Sequence, residues 1–174
     1  MKRTLLLIAA IAAATAVGAP AVGAQAPLIV SGGGTGTFAA DLDGDGDIDG
    51  SHFGLGVVFS GGSVRGHFEC LMAGNADILG LALMAVEGKV TGGSVDRAAG
   101  TAILTGTATV NLGGGVIFRG VQFSVRLTAG GPGVGGLRLT VLGAFDGVPG
   151  DVAPGNGNYD LPGESVASGA IRVR

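Results

Sequence analysis

The chain has 174 residues, of which 47% are hydrophobic and 13% charged, and its formal net charge at pH 7 is −3. This length suits one domain with a buried core, and the apolar content excludes a chain that is disordered throughout. The 37 glycines follow no three-residue repeat, which excludes a collagen-like protein, and the small negative charge offers no basic surface for nucleic acid or an anionic membrane.

The first 24 residues have the pattern of a secretory signal peptide. Lys2 and Arg3 precede an apolar stretch, and small residues at Val22 and Ala24 suit cleavage after Ala24. An uncleaved membrane anchor is the alternative, but the apolar stretch is shorter than the roughly 20 residues of a spanning helix. We therefore predict a secreted or extracytoplasmic protein whose mature part, residues 25–174, is a single domain without a transmembrane segment.

Beyond the signal segment, apolar and polar residues alternate with a period of two, which predicts β-strands. The predicted strands are residues 35–40, 52–59, 63–72, 77–90, 100–112, 121–127, 136–145 and 168–174. Segment 77–90 also has features of a helix, but its glycines and the preceding AGNA turn signal favour a strand. The long segment 146–164 is rich in Pro and Gly and predicts either a functional or mobile loop or a disordered connection.

Short turn-rich connections leave no room for crossover helices, so neighbouring strands should be antiparallel. The predicted fold is all-β: an antiparallel meander of about eight strands, closed into a barrel or divided into a two-sheet sandwich. Glycines inside strands allow strong curvature, which favours the closed barrel.

The run DLDGDGDID, residues 41–49, has Asp at every second position and Gly46 near its centre. A twelve-residue calcium loop needs oxygen ligands at alternate positions and a glycine at the sixth. The run closely resembles the calcium loops of EF-hand and dockerin-type repeats, and the resemblance covers this loop alone. It implies one bound calcium ion with the ligands Asp41, Asp43, Asp45, Asp47 (through its carbonyl) and Asp49, within a loop at 41–52.

The run departs from those repeats in two ways, of which the first weakens the expected site. The twelfth position is His52 rather than a carboxylate, and histidine nitrogen is a poor calcium ligand, so a distant acid would have to complete the site. The flanking segments are predicted strands, so calcium would rigidify a hairpin connection rather than open a pair of helices. A solvated acidic turn and a transition-metal site that includes His52 are the alternatives.

The sequence carries no clear catalytic pattern. Only His52 and His67 are available as a histidine base. Glu69 and Glu87 are most simply outward-facing strand residues, and nothing in their spacing to Glu164 favours sugar hydrolysis. The single cysteine, Cys70, excludes an intramolecular disulfide and is expected to be a small buried side chain rather than a reactive thiol.

Most of the mature chain is similar to a broad class of exported bacterial β-rich proteins of unknown function, through strand-and-turn stretches such as VRGHFEC, VEGKVTGG and VQFSVRLTAGGPG. The similarity implies export and a β fold only. We predict an exported, non-catalytic β domain with one structural calcium site and a binding or envelope-associated role. The alternatives are a calycin-like barrel that binds a small apolar ligand, and a barrel-type cyclase or isomerase in which Arg119 points inward rather than lying exposed at the rim.

Overall fold

A computed structural model describes the fold for residues 26–41, 49–78 and 81–174. The predicted signal peptide, residues 1–24, lies outside these ranges. The described part is all-β, with nine strands and no helix among its residues. The strands are β1 (Leu28–Thr37), β2 (Gly50–Ser60), β3 (Ser63–Ile78), β4 (Leu81–Asp96), β5 (Thr101–Asn111), β6 (Ile117–Thr128), β7 (Gly136–Leu142), β8 (Tyr159–Asp160) and β9 (Glu164–Val173). Within these ranges, no helix could cross a membrane.

The strands form one antiparallel sheet whose hydrogen bonds close on themselves. From β1 to β7, each strand pairs with the next along the chain. The last strand, β9, pairs with β1 on one side and with β7 on the other, which closes a ring through eight strands. The predicted antiparallel meander of about eight strands is confirmed, and its pairings are continuous rather than divided between two sheets.

Every second strand residue points toward the inside of the ring, and most of these inward-facing residues are apolar. On β2 the buried positions include Phe53, Leu55 and Val57, and the other strands continue the pattern into one hydrophobic cluster. At its centre the rings of Phe68 and Phe123 stack with centroids 5.7 Å apart. Burial of each such side chain contributes about 1.5–3 kcal/mol to folding, so the filled interior is the main source of stability.

Strand β1 begins at Leu28, well before the predicted segment 35–40. The glycine-rich stretch before that segment is paired with both neighbouring strands. A Cβ atom on Gly34, which has φ +150°, would overlap the carbonyl oxygen of Ser168 on β9. These glycines therefore allow two backbones to approach closely inside a strand.

The β3–β4 hairpin is longer than predicted. The AGNA sequence, residues 73–76, predicts a turn, but β3 continues to Ile78 and β4 starts at Leu81. The register between the two strands shifts between Ala73 and Ile78, which marks a bulge or irregularity. Such a shift accommodates small and turn-forming residues without ending the strand. The strand interpretation of segment 77–90 is thus correct from Leu81 onward, and its first residues belong to β3.

Candidate functional site

The acidic run connects β1 to β2 at one end of the ring. Thr37 at the end of β1 pairs with Gly50 at the start of β2. One residue closer to the acidic run, the N–H of Phe38 donates a hydrogen bond of 2.9 Å to the carbonyl of Asp49. Both ends of the connection are therefore held together, as in a β-hairpin with a long loop. The prediction that strands rather than helices flank the loop is confirmed.

The two ends of this connection differ in exposure. Asp41 is exposed, whereas Asp49 is fully buried. The other three predicted ligands, Asp43, Asp45 and Asp47, lie outside the described residues. The calcium ligand set therefore stays a prediction. Among the residues that are described, no group of three or more His, Cys, Asp and Glu side chains could hold a metal ion.

Three polar side chains are buried in the described part of the chain: Asp49, Ser51 and Glu164. Asp49 and Ser51 belong to the inward-facing positions of the β2 segment, in line with Phe53. Glu164 is the first residue of β9 and pairs with Leu137 of β7. The Ser51 hydroxyl donates a hydrogen bond of 2.5 Å to Oε2 of Glu164, so the interior is polar at the end where the acidic run lies.

Burial dominates the chemistry of Glu164. It raises the pKa of this carboxyl to about 7, against the lowering effect of hydrogen bonds from the side chain and backbone of Ser51. The carboxyl is therefore close to half-protonated at neutral pH. Ser51 donates to this carboxylate, and its sequence neighbour His52 is exposed, as is His67, so neither histidine is buried with the pair.

Cys70 faces the same interior and is 1% exposed. Burial raises the pKa of its thiol to about 12, with a further contribution from the charge of Glu164. The thiol is therefore protonated at neutral pH and cannot act as a nucleophile. The interpretation of Cys70 as a small buried side chain is confirmed.

The long segment between β7 and β9 is folded back on itself by two carboxylates. Asp146 accepts hydrogen bonds of 2.6 and 2.9 Å from backbone N–H groups, and Asp151 accepts three of 2.8, 2.9 and 3.2 Å. Tyr159 is 2% exposed, and its hydroxyl donates to the carbonyl of Pro149 at 3.0 Å. The segment thus has defined contacts, and Phe145 and Val148 pack against the core. It includes the short strand β8, which the sequence pattern did not predict.

The outer face carries the remaining candidate residues. His67, Glu69 and Glu87 are exposed strand residues, as predicted. Arg119 is exposed as well, so the alternative in which it points into the ring is wrong. Arg119 and Val121 are two residues apart and would face the same side of a regular strand, but the register between β5 and β6 shifts between Ala108 and Thr109, which are paired with Val121 and Arg119.

Sequence reasoning identified Glu164 only as an isolated acid and did not single out Ser51. The available signal was the two-residue period of the strands. Asp49 and Ser51 lie at positions that face the same side as the apolar residues of β2, and Glu164 faces the same side as the buried Val166. Polar residues at inward positions of a strand point to a buried polar contact. No protein-family model, curated protein or solved structure matches this chain.

Proposed function

We propose that this chain is an exported, non-catalytic β domain whose acidic β1–β2 connection binds one structural calcium ion. The observation that carries the proposal is the hairpin closure beneath the acidic run. Because Thr37 pairs with Gly50, the two flanks of the run are brought side by side, which suits a loop that wraps around an ion. The alternate spacing of five Asp side chains supplies the oxygen ligands that calcium prefers.

Electrostatics give the ion a stabilising role. Carboxylates crowded into a short loop repel one another and raise one another's pKa values when no cation is present. A bound calcium ion turns that repulsion into coordination and favours the folded state, by about 2.7 kcal/mol when free calcium exceeds the Kd a hundredfold. The single cysteine leaves the ring without an intramolecular disulfide, so a metal would be a useful source of rigidity outside the cell.

The described interior supports a non-catalytic role. Large side chains such as Phe68, Phe123 and Tyr159 are buried in one hydrophobic cluster, which favours a packed interior over the calycin-like alternative. The groups with catalytic potential are unsuitably placed: Arg119 is exposed, and the Cys70 thiol is protonated. Export is proposed from the signal-like pattern of the first residues.

Calcium titration by isothermal calorimetry tests the proposal. We expect one equivalent of calcium to bind the purified protein, and the double variant Asp43→Asn, Asp45→Asn to lose this binding. Asp96→Asn is the control for loss of a distant carboxylate, because Asp96 lies at the opposite end of the ring, where its Oδ1 accepts the N–H of Ala99 at 3.0 Å. Equal calcium affinity in the native protein and the double variant would refute the assignment.

A further inference from the structure

A cavity of about 570 Å³ lies on the outer face of the ring, over β1 to β4 and β9. Its volume is within the range of about 300–1,000 Å³ found for small-molecule sites. The outward-facing side chains around it are Thr35, His52, Glu69, Leu71, Glu87 and Ser168. His52, the last residue of the predicted loop 41–52, lines the cavity, but the inference uses none of the predicted calcium ligands and does not depend on the calcium proposal.

Strand register explains how the cavity forms. One outer row of paired residues runs Ser168, Thr35, His52, Leu71, and a second row runs Gly33, Gly54, Glu69, Glu87. Between the two rows, residues such as Phe53 and Cys70 bury their side chains on the inner face, so they contribute backbone to the floor.

Glycines in the second row make room for the Glu69 side chain. Gly33 and Gly54 provide no side chain on β1 and β2, and the Glu69 carboxylate occupies the space beside Gly54, where a Cβ atom would overlap its Oε1. The Glu69 carboxylate can therefore lie against the backbone of β2, and it forms part of the cavity wall.

The cavity has a negative wall. Glu69 and Glu87 are directly opposite each other across β3 and β4, and both are exposed. Like charges directly opposite each other on neighbouring strands destabilise a sheet. The ion pair found in the described part of the chain joins Arg138 and Asp160, so it does not neutralise these glutamates. Lys89, in the next outer row, does not line this cavity, but it lines a neighbouring pocket together with Glu69 and Glu87.

The rest of the lining is apolar or hydrogen-bonding. Leu71 is 41% exposed, which is high for a large apolar side chain, and it follows Glu69 on the same face of β3. On the other side of the cavity, the hydroxyls of Thr35 and Ser168 are 2.8 Å apart. A bare metal ion fits this lining poorly, because no group of three or more metal-ligating side chains converges anywhere in the described ranges.

We propose that this outer cavity binds a small organic cation, a protonated amine joined to an apolar group. The ammonium group contacts the carboxylates of Glu69 and Glu87, and the apolar group covers Leu71. Charge-assisted hydrogen bonds to the two carboxylates provide affinity and orientation, and burial of Leu71 adds an apolar contribution. A neutral analogue loses the charge-assisted bonds, and an anionic analogue is repelled.

Three indole compounds test the class of ligand on the native protein: tryptamine, the neutral indole-3-ethanol and the anionic indole-3-acetate. We expect calorimetry or NMR titration to show one equivalent of tryptamine bound, with the alcohol weaker by about tenfold or more, the factor for one charged hydrogen bond. We expect no binding of the acetate. Equal affinities for tryptamine and the alcohol, or no tryptamine binding at millimolar concentration, would overturn the proposal.

Variants then locate the site. Glu69→Gln with Glu87→Gln should weaken tryptamine binding by about tenfold or more while the fold is kept, because both side chains are exposed. Asp43→Asn with Asp45→Asn removes the same number of charges, so it controls both for net charge and for binding to the acidic connection, and Asp96→Asn controls for the loss of a distant carboxylate. Both should retain the native affinity. Equal losses in the glutamate variant and either control would contradict a site at Glu69 and Glu87, whatever the outcome of the calcium titration.

Discussion

Ser51 on β2 and Glu164 on β9 are joined by a buried hydrogen bond of 2.5 Å, although 113 positions separate them in the sequence. β1 lies between these two strands in the ring. The bond passes beneath Gly36 of β1, since a Cβ atom on this glycine would overlap Oε2 of Glu164. One missing side chain therefore allows a polar contact to span three strands at the end of the ring that carries the acidic connection.

Replacement of Gly36 by alanine is expected to displace the Glu164 carboxylate from Ser51. Because Gly36 is buried and the added atom has no free space, the free energy of unfolding should fall by about 1–3 kcal/mol. Gly33→Ala is the matched control on the same strand, where the added Cβ would meet only the carbonyl oxygen of Phe53 at 3.5 Å. Urea unfolding measures both, and equal losses in the two variants would count against the proposed contact.

Glu164 should make stability depend on pH. Its pKa is raised from 4.5 to about 7 in the folded state, so the folded protein retains this proton while the unfolded chain has released it. The contribution of Glu164 to the free energy of unfolding is therefore fully present below the unfolded pKa. This contribution, roughly 3 kcal/mol, is lost as the pH rises through about 7.

The variant Glu164→Gln isolates this effect, because the amide keeps an oxygen acceptor for Ser51 without a charge. Urea unfolding from about pH 5 to about pH 8 should show native stability falling relative to that of the variant as pH rises. Glu87→Gln is the control with an exposed carboxylate. A constant difference between native protein and Glu164→Gln across this range would show that the buried carboxyl does not titrate there.

Asp151 should hold the long segment through its carboxylate. Hydrogen bonds from the backbone of Gly147 and Ala153 lower its pKa, so its contribution is present above the unfolded pKa and is lost as pH falls through the folded one. In Asp151→Ala we expect faster hydrogen exchange at the Gly147 and Ala153 amides. Asp146→Ala provides the internal comparison, because it should affect the amides of Gly155 and Gly157 instead. Uniform acceleration over all four amides in both variants would contradict separate roles.

Cys70 should be unreactive in the folded protein. Its pKa of about 12 and its 1% exposure keep the thiol protonated and shielded. A thiol reagent at neutral pH is therefore expected to label it only after denaturant is added. Rapid stoichiometric labelling of the native protein would show that the ring opens at β3 or that the thiol is accessible.

The sequence predicted the fold well where alternation was regular. β2 and β6 were recognised because Phe53 and Phe123 belong to clear period-two patterns, and short connections correctly implied antiparallel pairing. The predicted strand boundaries were wrong where glycines allow close contact between strands that are distant in the sequence. The glycine-rich part of β1 has a turn-like composition, but the close approach of β9 makes glycine necessary there, and one sequence does not reveal that approach.

The candidate site was predicted unevenly. The acidic connection and its place between two strands followed from local spacing, since every residue involved lies in one short run. The contact between Ser51 and Glu164 depends on ring closure between the ends of the chain, and no local pattern reports which acid meets which hydroxyl. The outer cavity likewise depends on register, which places Glu69 opposite Glu87 and leaves Gly54 beside them.

Thermal melting with and without calcium tests the central claim most directly. If the acidic connection binds a structural ion, saturating calcium should raise the melting temperature of the native protein by about 5–10 °C, and a chelator should reverse the change. Asp43→Asn with Asp45→Asn should abolish the calcium response, whereas Asp96→Asn should keep it. A melting temperature that is the same in calcium and in chelator would contradict the account.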